Sequence, residues 1–290
     1  MKNLRINCLL PILVLLISEL LVGCSADQKN KTATQTEKSE PATNTVPYNT
    51  DNPESMIQAV IEECGGIDKL KSLKDVEFDY SYESPDGKKD VSKERYIFEN
   101  EISWARYSEH EVNVSPNLEG SIVQFYDGVN THVYNNSEPV DDPKVVGTGN
   151  FLRRANYMWF TMMFKLADPG VIYKYEGQKE IDGRNFDVVK ISYDSLVTGK
   201  AQNDTYVVNI NPDTRLIESF DFSLPAFGVE QPVLHAELTY EEIEGIMVIT
   251  KRVMTAPAPD GKGMVPMVEQ ALTNVKFNNG FTRDQLSKEI

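Results

Sequence analysis

Side chains able to do chemistry are few in this 290-residue chain, and they are widely spaced. The three histidines, His110, His132 and His235, are too far apart in sequence to form a local metal-binding pattern. His235 precedes Ala236, Leu238 and Tyr240 in an alternating run, so it is expected on the face opposite that apolar row. Carboxylates adjoin at Glu62-Glu63, Asp141-Asp142 and Glu241-Glu242. With 44 acidic residues such adjacency is expected by chance, and neighbours in a strand point to opposite faces. A glycosidase needs two carboxyls at a defined separation across a cleft, which no spacing here reports. There is no G-x-S-x-G elbow, H-E-x-x-H helix, phosphate loop or C-x-x-C pair. Gly147-Thr148-Gly149 lacks the third glycine of a dinucleotide fingerprint. The reading is therefore no catalytic residue, no metal site, no cofactor and no enzyme. The alternative is a hydrolase with an unfamiliar site, which histidines and carboxylates gathered in one cleft would revive.

A different chemistry is legible at the N-terminus. Lys2 and Arg5 precede an apolar run from Cys8 to Gly23, interrupted by Pro11 and Glu19. A basic start followed by an apolar stretch is the pattern of a secretory signal peptide. The run is too short and too interrupted for a membrane span, which needs about 20 predominantly apolar residues. It ends Leu21-Val22-Gly23-Cys24, which resembles the lipobox of bacterial lipoproteins. The resemblance implies cleavage between Gly23 and Cys24 and acylation of Cys24. Lipoproteins of this kind carry a diacylglycerol and usually an amide-linked chain. More than one hydrophobic signal gives lasting attachment, whereas one acyl chain binds a membrane only marginally. The expected partner is thus a membrane, held through the N-terminal acyl groups. The expected location is the cell envelope, at the outer membrane, with the leaflet left open.

Removal of residues 1–23 leaves 27 basic and 43 acidic residues, a net charge of −16. Such acidity excludes nucleic acid as the expected partner, since its phosphates would be repelled. It also disfavours docking on anionic lipid through charge. With Cys8 removed and Cys24 acylated, Cys64 is left alone, so no intramolecular disulfide is expected. Beside Gly65 at the end of a predicted helix, Cys64 reads as a small buried residue rather than a nucleophile. The fold must rest on its hydrophobic core, and the chain is long enough for one sizeable domain.

Three parts follow: a signal peptide over 1–23, the lipidated Cys24 with a disordered tether to residue 50, and a domain over 51–290. The tether is almost devoid of apolar residues and cannot offset its ordering entropy by burial. In the domain, Asp51 or Asn52 can cap a helix with Pro53 in its first turn. Met56, Ile57, Val60 and Ile61 recur at helical spacing until Gly65-Gly66. A short amphipathic turn covers 67–73. From residue 75 the apolar period becomes two. Strands are predicted over 75–83, 93–99, 102–109, 121–126, 130–134, 171–181, 185–193 and 265–277. Two more pairs flank Asn211-Pro212-Asp213 and Glu244-Gly245. Asp127-Gly128 and Asp182-Gly183 are hairpin turn signals. Sequential strands joined by tight turns must be antiparallel.

One segment breaks the strand pattern. Residues 150–167 read as a helix that is apolar nearly all round, so it should be buried on more than one side. Its methionines are flexible and polarizable, which suits loosely specified apolar ligands. Tyr157, Met158, Trp159, Met162, Met163 and Phe164 are the candidate lining of a lipid-accepting cavity. The competing reading packs the same side chains against the sheet and leaves no cavity. The fold class expected is α+β: a large curved antiparallel sheet, an incomplete β-barrel, with helices packed in its concavity.

Three stretches carry a family resemblance: Cys64-Gly65-Gly66-Ile67-Asp68-Lys69-Leu70-Lys71, the run from Glu180 to Ile191, and the run from Tyr206 to Ile217. Together they resemble Bacteroidota lipoproteins with a LolA/LolB-like domain, including a family of unknown function, the DUF6503-like group. The resemblance spans roughly residues 53–280. It implies a half-barrel wrapped around helices that act as plug or lid, with an apolar concavity that in better-known relatives holds acyl chains. It transfers no functional residue to this chain. The function expected is a non-enzymatic envelope lipoprotein that binds a lipid or acyl chain. The alternative is a structural or partner-binding lipoprotein with a filled core and no small ligand. An enclosed apolar volume of roughly several hundred Å³ beneath helix 150–167 would favour the first.

Overall fold

The structure is a computed structural model that describes residues 46–199 and 202–290. The predicted signal peptide, the predicted processing site at Gly23 and Cys24 and the predicted tether up to residue 45 lie outside the described residues. The chain from 46 to 50, assigned to the tether from composition, already touches the domain. Tyr48 donates through its hydroxyl to Asp187 at 2.8 Å, and Arg215 sits over its ring at 5.9 Å.

Helix α1 (Pro53–Glu63) buries Met56, Ile57, Ala59, Val60 and Ile61 on one side. It stops at Gly65, where a Cβ would lie 2.9 Å from the Gly245 carbonyl oxygen. The glycine therefore lets the helix end settle on a strand turn. Helix α2 (Ile67–Ser72) follows. The strands are β1 (Asp75–Glu83), β2 (Lys89–Ile97), β3 (Ile102–His110), β4 (Ile122–Tyr126), β5 (Thr131–Asn135) and β6 (Glu138–Pro139). Helices α3 (Pro143–Phe160) and α4 (Met162–Lys165) come next. Then come β7 (Val171–Ile181), β8 (Arg184–Tyr193), α5 (Ser195–Thr198), β9 (Tyr206–Ile210) and β10 (Ile217–Leu224). The chain ends through β11 (Val229–Ile243), β12 (Ile246–Pro257), β13 (Met264–Phe277) and α6 (Arg283–Leu286).

Among the described residues thirteen strands form one sheet, ordered β6-β5-β4-β3-β2-β1-β13-β12-β11-β10-β9-β8-β7. Each pairing is antiparallel, and the sheet does not close on itself. The expected α+β architecture is present, with the main helices and the large apolar core on one face. The path is two meanders. The first runs outward from β1 to the β6 edge. The chain then crosses as α3 and α4 and restarts at the opposite edge, β7. The second meander returns to β13, which pairs with β1 from Val76↔Phe277 to Glu83↔Glu269. The central helix is thus the connection between the two free edges, which is why it lies across the inner face. No helix among the described residues is long and apolar enough to cross a membrane.

The predicted helix 150–167 is corrected at both ends. It starts at Pro143, because the Asp142 side chain accepts from the N–H groups of Lys144 at 2.8 Å and Val145 at 3.2 Å. Gly147 and Gly149 do not break it. Gly149 is buried, and a Cβ there would lie 2.9 Å from Val133 Cγ2, so the bare backbone brings the helix close to the sheet. It is interrupted at Thr161, whose hydroxyl donates back to the Tyr157 carbonyl at 2.8 Å. Strand β2 begins four residues before the predicted 93. Helix α6 was not expected. It buries Leu286 against Ile102, Trp104, Val123 and Phe125 in a second, smaller core on the outer face.

The β4–β5 hairpin turns on Asp127. Its carboxylate accepts from Val129 N at 2.9 Å and Asn130 N at 2.8 Å, and also from Arg283 at 2.9 Å. Burial by itself would raise its pKa, but these donors, with His132, outweigh it and hold the carboxyl well below the usual range. Its folded pKa therefore lies below the unfolded value of about 3.9. The stability it adds is present above that value and is lost as pH falls through the folded pKa. The stability gap between wild type and Asp127→Ala, measured by urea unfolding, should narrow between about pH 5 and about pH 2. A gap independent of pH would contradict this.

Candidate functional site

Between α3 and the inner face of the sheet lies an apolar cavity of about 70 Å³. Helix α3 contributes Leu152, Ala155, Asn156 and Trp159, spaced so that they share one face. The opposing wall is Tyr80 and Tyr82 of β1, Tyr107 of β3, Phe222 and Leu224 of β10, Met254 of β12, and Met267, Val268 and Gln270 of β13. The loop after β3 closes one side with Asn113 and Val114. Tyr82, Asn113, Asn156 and Met267 are partly exposed, and the cavity opens between them. Asp90 is the carboxylate in the wall. It is buried and accepts from Val112 N at 2.9 Å and Asn113 N at 2.8 Å. Burial raises its pKa, and these bonds oppose the rise only in part.

Of the six side chains proposed as lining, Trp159 alone is in this wall. Tyr157 packs on Tyr96 and Phe98, with ring centres 5.5 and 6.4 Å away, and Phe164 packs edge-on to Phe98 at 5.9 Å. Met162 and Met163 are buried in the main core, and Met158 is packed against it. The methionines that do face the cavity, Met254 and Met267, come from strands.

The helix is held to the sheet by a buried polar network that sequence reasoning missed. Arg153 and Glu94 are both fully buried. The guanidinium donates to both Glu94 oxygens, at 2.5 and 3.0 Å, to the Tyr107 hydroxyl at 2.5 Å, and to Gln124 Oε1 at 3.2 Å. Ser92 and Tyr96 donate to the same carboxylate at 2.8 and 2.9 Å. Burial would push the Arg153 pKa down, but the Glu94 charge overrides that and holds it up. One signal was available. An arginine inside a helix apolar on most sides needs a buried acceptor.

A second buried arginine is placed differently. Arg252 of β12 is 2 % exposed. It donates to the Trp159 carbonyl at 2.7 Å and reaches Gln270 Oε1 at 3.5 Å, and its guanidinium lies 5.6 Å from the Trp159 ring. Its Nε has no hydrogen-bond partner among the described residues. Burial lowers its pKa to about 10, and the groups that oppose the drop are tyrosines, Tyr80 first, rather than carboxylates. A small void of about 10 Å³ adjoins it, and Tyr80, Asn156, Trp159 and Gln270 line both this void and the main cavity.

The remaining chemical candidates are dispersed. His110 donates through Nε2 to the Gly120 carbonyl at 2.8 Å. His132 and His235 pair with Asp127 at 3.3 Å and Asp221 at 2.7 Å. Ala236 is fully buried beside the half-buried His235, as the alternation implied. Cys64 is buried, and burial pushes its thiol up to about 12, which suppresses the thiolate. No group of three or more potential metal ligands occurs among the described residues.

Residues 130–230 match the model of a family of unknown function, DUF6503. The match contains two of the three stretches that carry the sequence resemblance, those beginning at Glu180 and Tyr206. No curated protein matches the chain. Among solved structures it is similar to a DUF1329 family protein from Desulfovibrio piger, at 13% identity and a TM-score of 0.48, covering 80% of this chain and 98% of that one. It is also similar to a LolA superfamily protein from Nitrosomonas europaea, at 14% identity and a TM-score of 0.48, again covering 80% and 98%.

Proposed function

We propose that this chain is an envelope protein anchored through acyl groups on Cys24, and that its domain binds the apolar part of a lipid beneath α3 without catalysing a reaction. The observation that carries the reading is the partly open apolar cavity between α3 and strands β1, β10, β12 and β13. At about 70 Å³ it is well short of the roughly 300–1,000 Å³ of a ligand cleft. A longer chain is admitted as Met254 and Met267 change rotamer, since unbranched thioether side chains repack at little cost. The acyl groups on Cys24 belong in the membrane and are not the cargo.

A second reading has its own observation. Five of the six side chains proposed as lining are packed away from the cavity, which suits a filled-core protein that acts through a protein partner. Ala155 separates the two. Its methyl group faces the cavity, and Ala155→Leu adds three carbons there. Under lipid binding, the variant should bind a fluorescent fatty acid at least about tenfold more weakly, roughly 1.4 kcal/mol, while still unfolding cooperatively. Under the filled-core reading, wild type and variant bind equally poorly. Mass spectrometry of material extracted from the purified chain carrying Cys24→Ser gives the direct check. Reproducible co-purifying lipid supports the proposal, and its absence together with no fatty-acid binding rules it out.

A further inference from the structure

The two buried arginines of the inner face are unequal. Arg153 is matched by Glu94, so that charge is satisfied within the protein. Among the described residues Arg252 has no carboxylate partner and its Nε is unbonded, and it lies beside the small void that shares four wall residues with the apolar cavity. A guanidinium left without a counter-charge in such surroundings is unfavourable to the empty protein. It is also a preformed half of a charge-assisted hydrogen bond, next to the wall residues that the void shares with the apolar cavity.

We infer that Arg252 is an anion-binding residue, and that the ligand is an amphiphile whose carboxylate meets this guanidinium while its chain fills the cavity under α3. This rests on the lipid-binding reading above and narrows it to a substrate class. The void beside Arg252 is about 10 Å³, roughly the room for one water. A fatty-acid carboxylate needs only a small enlargement of it, and a bulky zwitterionic headgroup a far larger one. Gln270, whose Oε1 already faces Arg252, can offer its amide N–H₂ to the second carboxylate oxygen. Trp159 links the two parts of the site, since its ring walls the cavity and its carbonyl takes one arm of the guanidinium.

Calorimetric titration of the chain carrying Cys24→Ser with dodecanoate and with dodecanol tests this. Dodecanoate is expected to bind at least about tenfold tighter than the alcohol of equal length. Arg252→Met is expected to remove that preference, weakening dodecanoate about tenfold relative to dodecanol. The melting temperature of the ligand-free variant should change little, because removal of an uncompensated buried charge offsets the loss of the donor to the Trp159 carbonyl. Equal binding of acid and alcohol by the wild type would overturn the inference while leaving lipid binding intact. Binding of neither would overturn both. The acid–alcohol comparison needs no substitution at Arg252, so it stands even where the variant fails to fold.

Discussion

Glu94→Leu is expected to cost about 3–5 kcal/mol of stability, measured by urea unfolding at neutral pH. The substitution leaves Arg153 with no counter-charge at a site of zero exposure, and removing one partner of a buried ion pair is far costlier than the pair's net worth. It also strips the acceptor from Ser92 and Tyr96. Arg153→Leu should cost a similar amount by leaving Glu94 buried and charged. Their combination decides the mechanism. With both charges gone, the double variant should recover much of the loss, since apolar replacement of a whole buried pair is often close to neutral. Recovery will be incomplete, because Tyr107 and Gln124 lose the guanidinium to which they bond. A double variant as unstable as the sum of the singles would show that the two residues act independently, against the bidentate geometry.

Phe78→Ala is expected to cost about 3–5 kcal/mol, the range for truncating a buried aromatic. Phe78 is 2 % exposed at the centre of β1. Its ring stacks on Phe160 at 4.9 Å with 9° between planes, and meets Tyr96 edge-on at 5.3 Å. Phe160 in turn contacts Phe98 and Phe277. The cluster joins the end of α3 to the seam where the first and last strands pair. The cavity left by truncation would merge with the small void that Phe78 already lines. The loss should appear in the denaturation midpoint, with the denaturant slope little changed, because the seam itself persists. A loss below about 1 kcal/mol would mean that the neighbouring rings collapse into the space.

The site was less legible than the fold, and β2 shows why. Its inward residues are Asp90, Ser92, Glu94 and Tyr96, all buried. Such a row reads as a solvated face, so apolar alternation placed the strand four residues late and hid its inner side. The row is tolerable only because Arg153 descends from a helix 59 residues later in the chain than Glu94. Arg252 was hidden in the same way. Lys251 and Arg252 look alike in sequence, yet Lys251 pairs with Glu269 at 2.8 Å on a partly exposed surface while Arg252 is enclosed. The helix misled for a related reason. Nearly apolar all round, it could not reveal which side faced the cavity.

What the sequence by itself determined were features set by neighbours along the chain. Helix α1 with its glycine stop, β1 and β7 to the residue, the hairpins at Asp127-Gly128 and Asp182-Gly183, and the antiparallel pairing all follow from local spacing and turn chemistry. The lipobox resemblance at Gly23 and Cys24 is equally local. The tertiary structure decided what depends on distant partners: the seam between β1 and β13, the crossing of α3 from one sheet edge to the other, and the fate of the two arginines. Packing energy at those places comes from residues far apart in sequence, and no periodicity records which of them will meet. Glu94 neutralises Arg153, and no described residue does the same for Arg252.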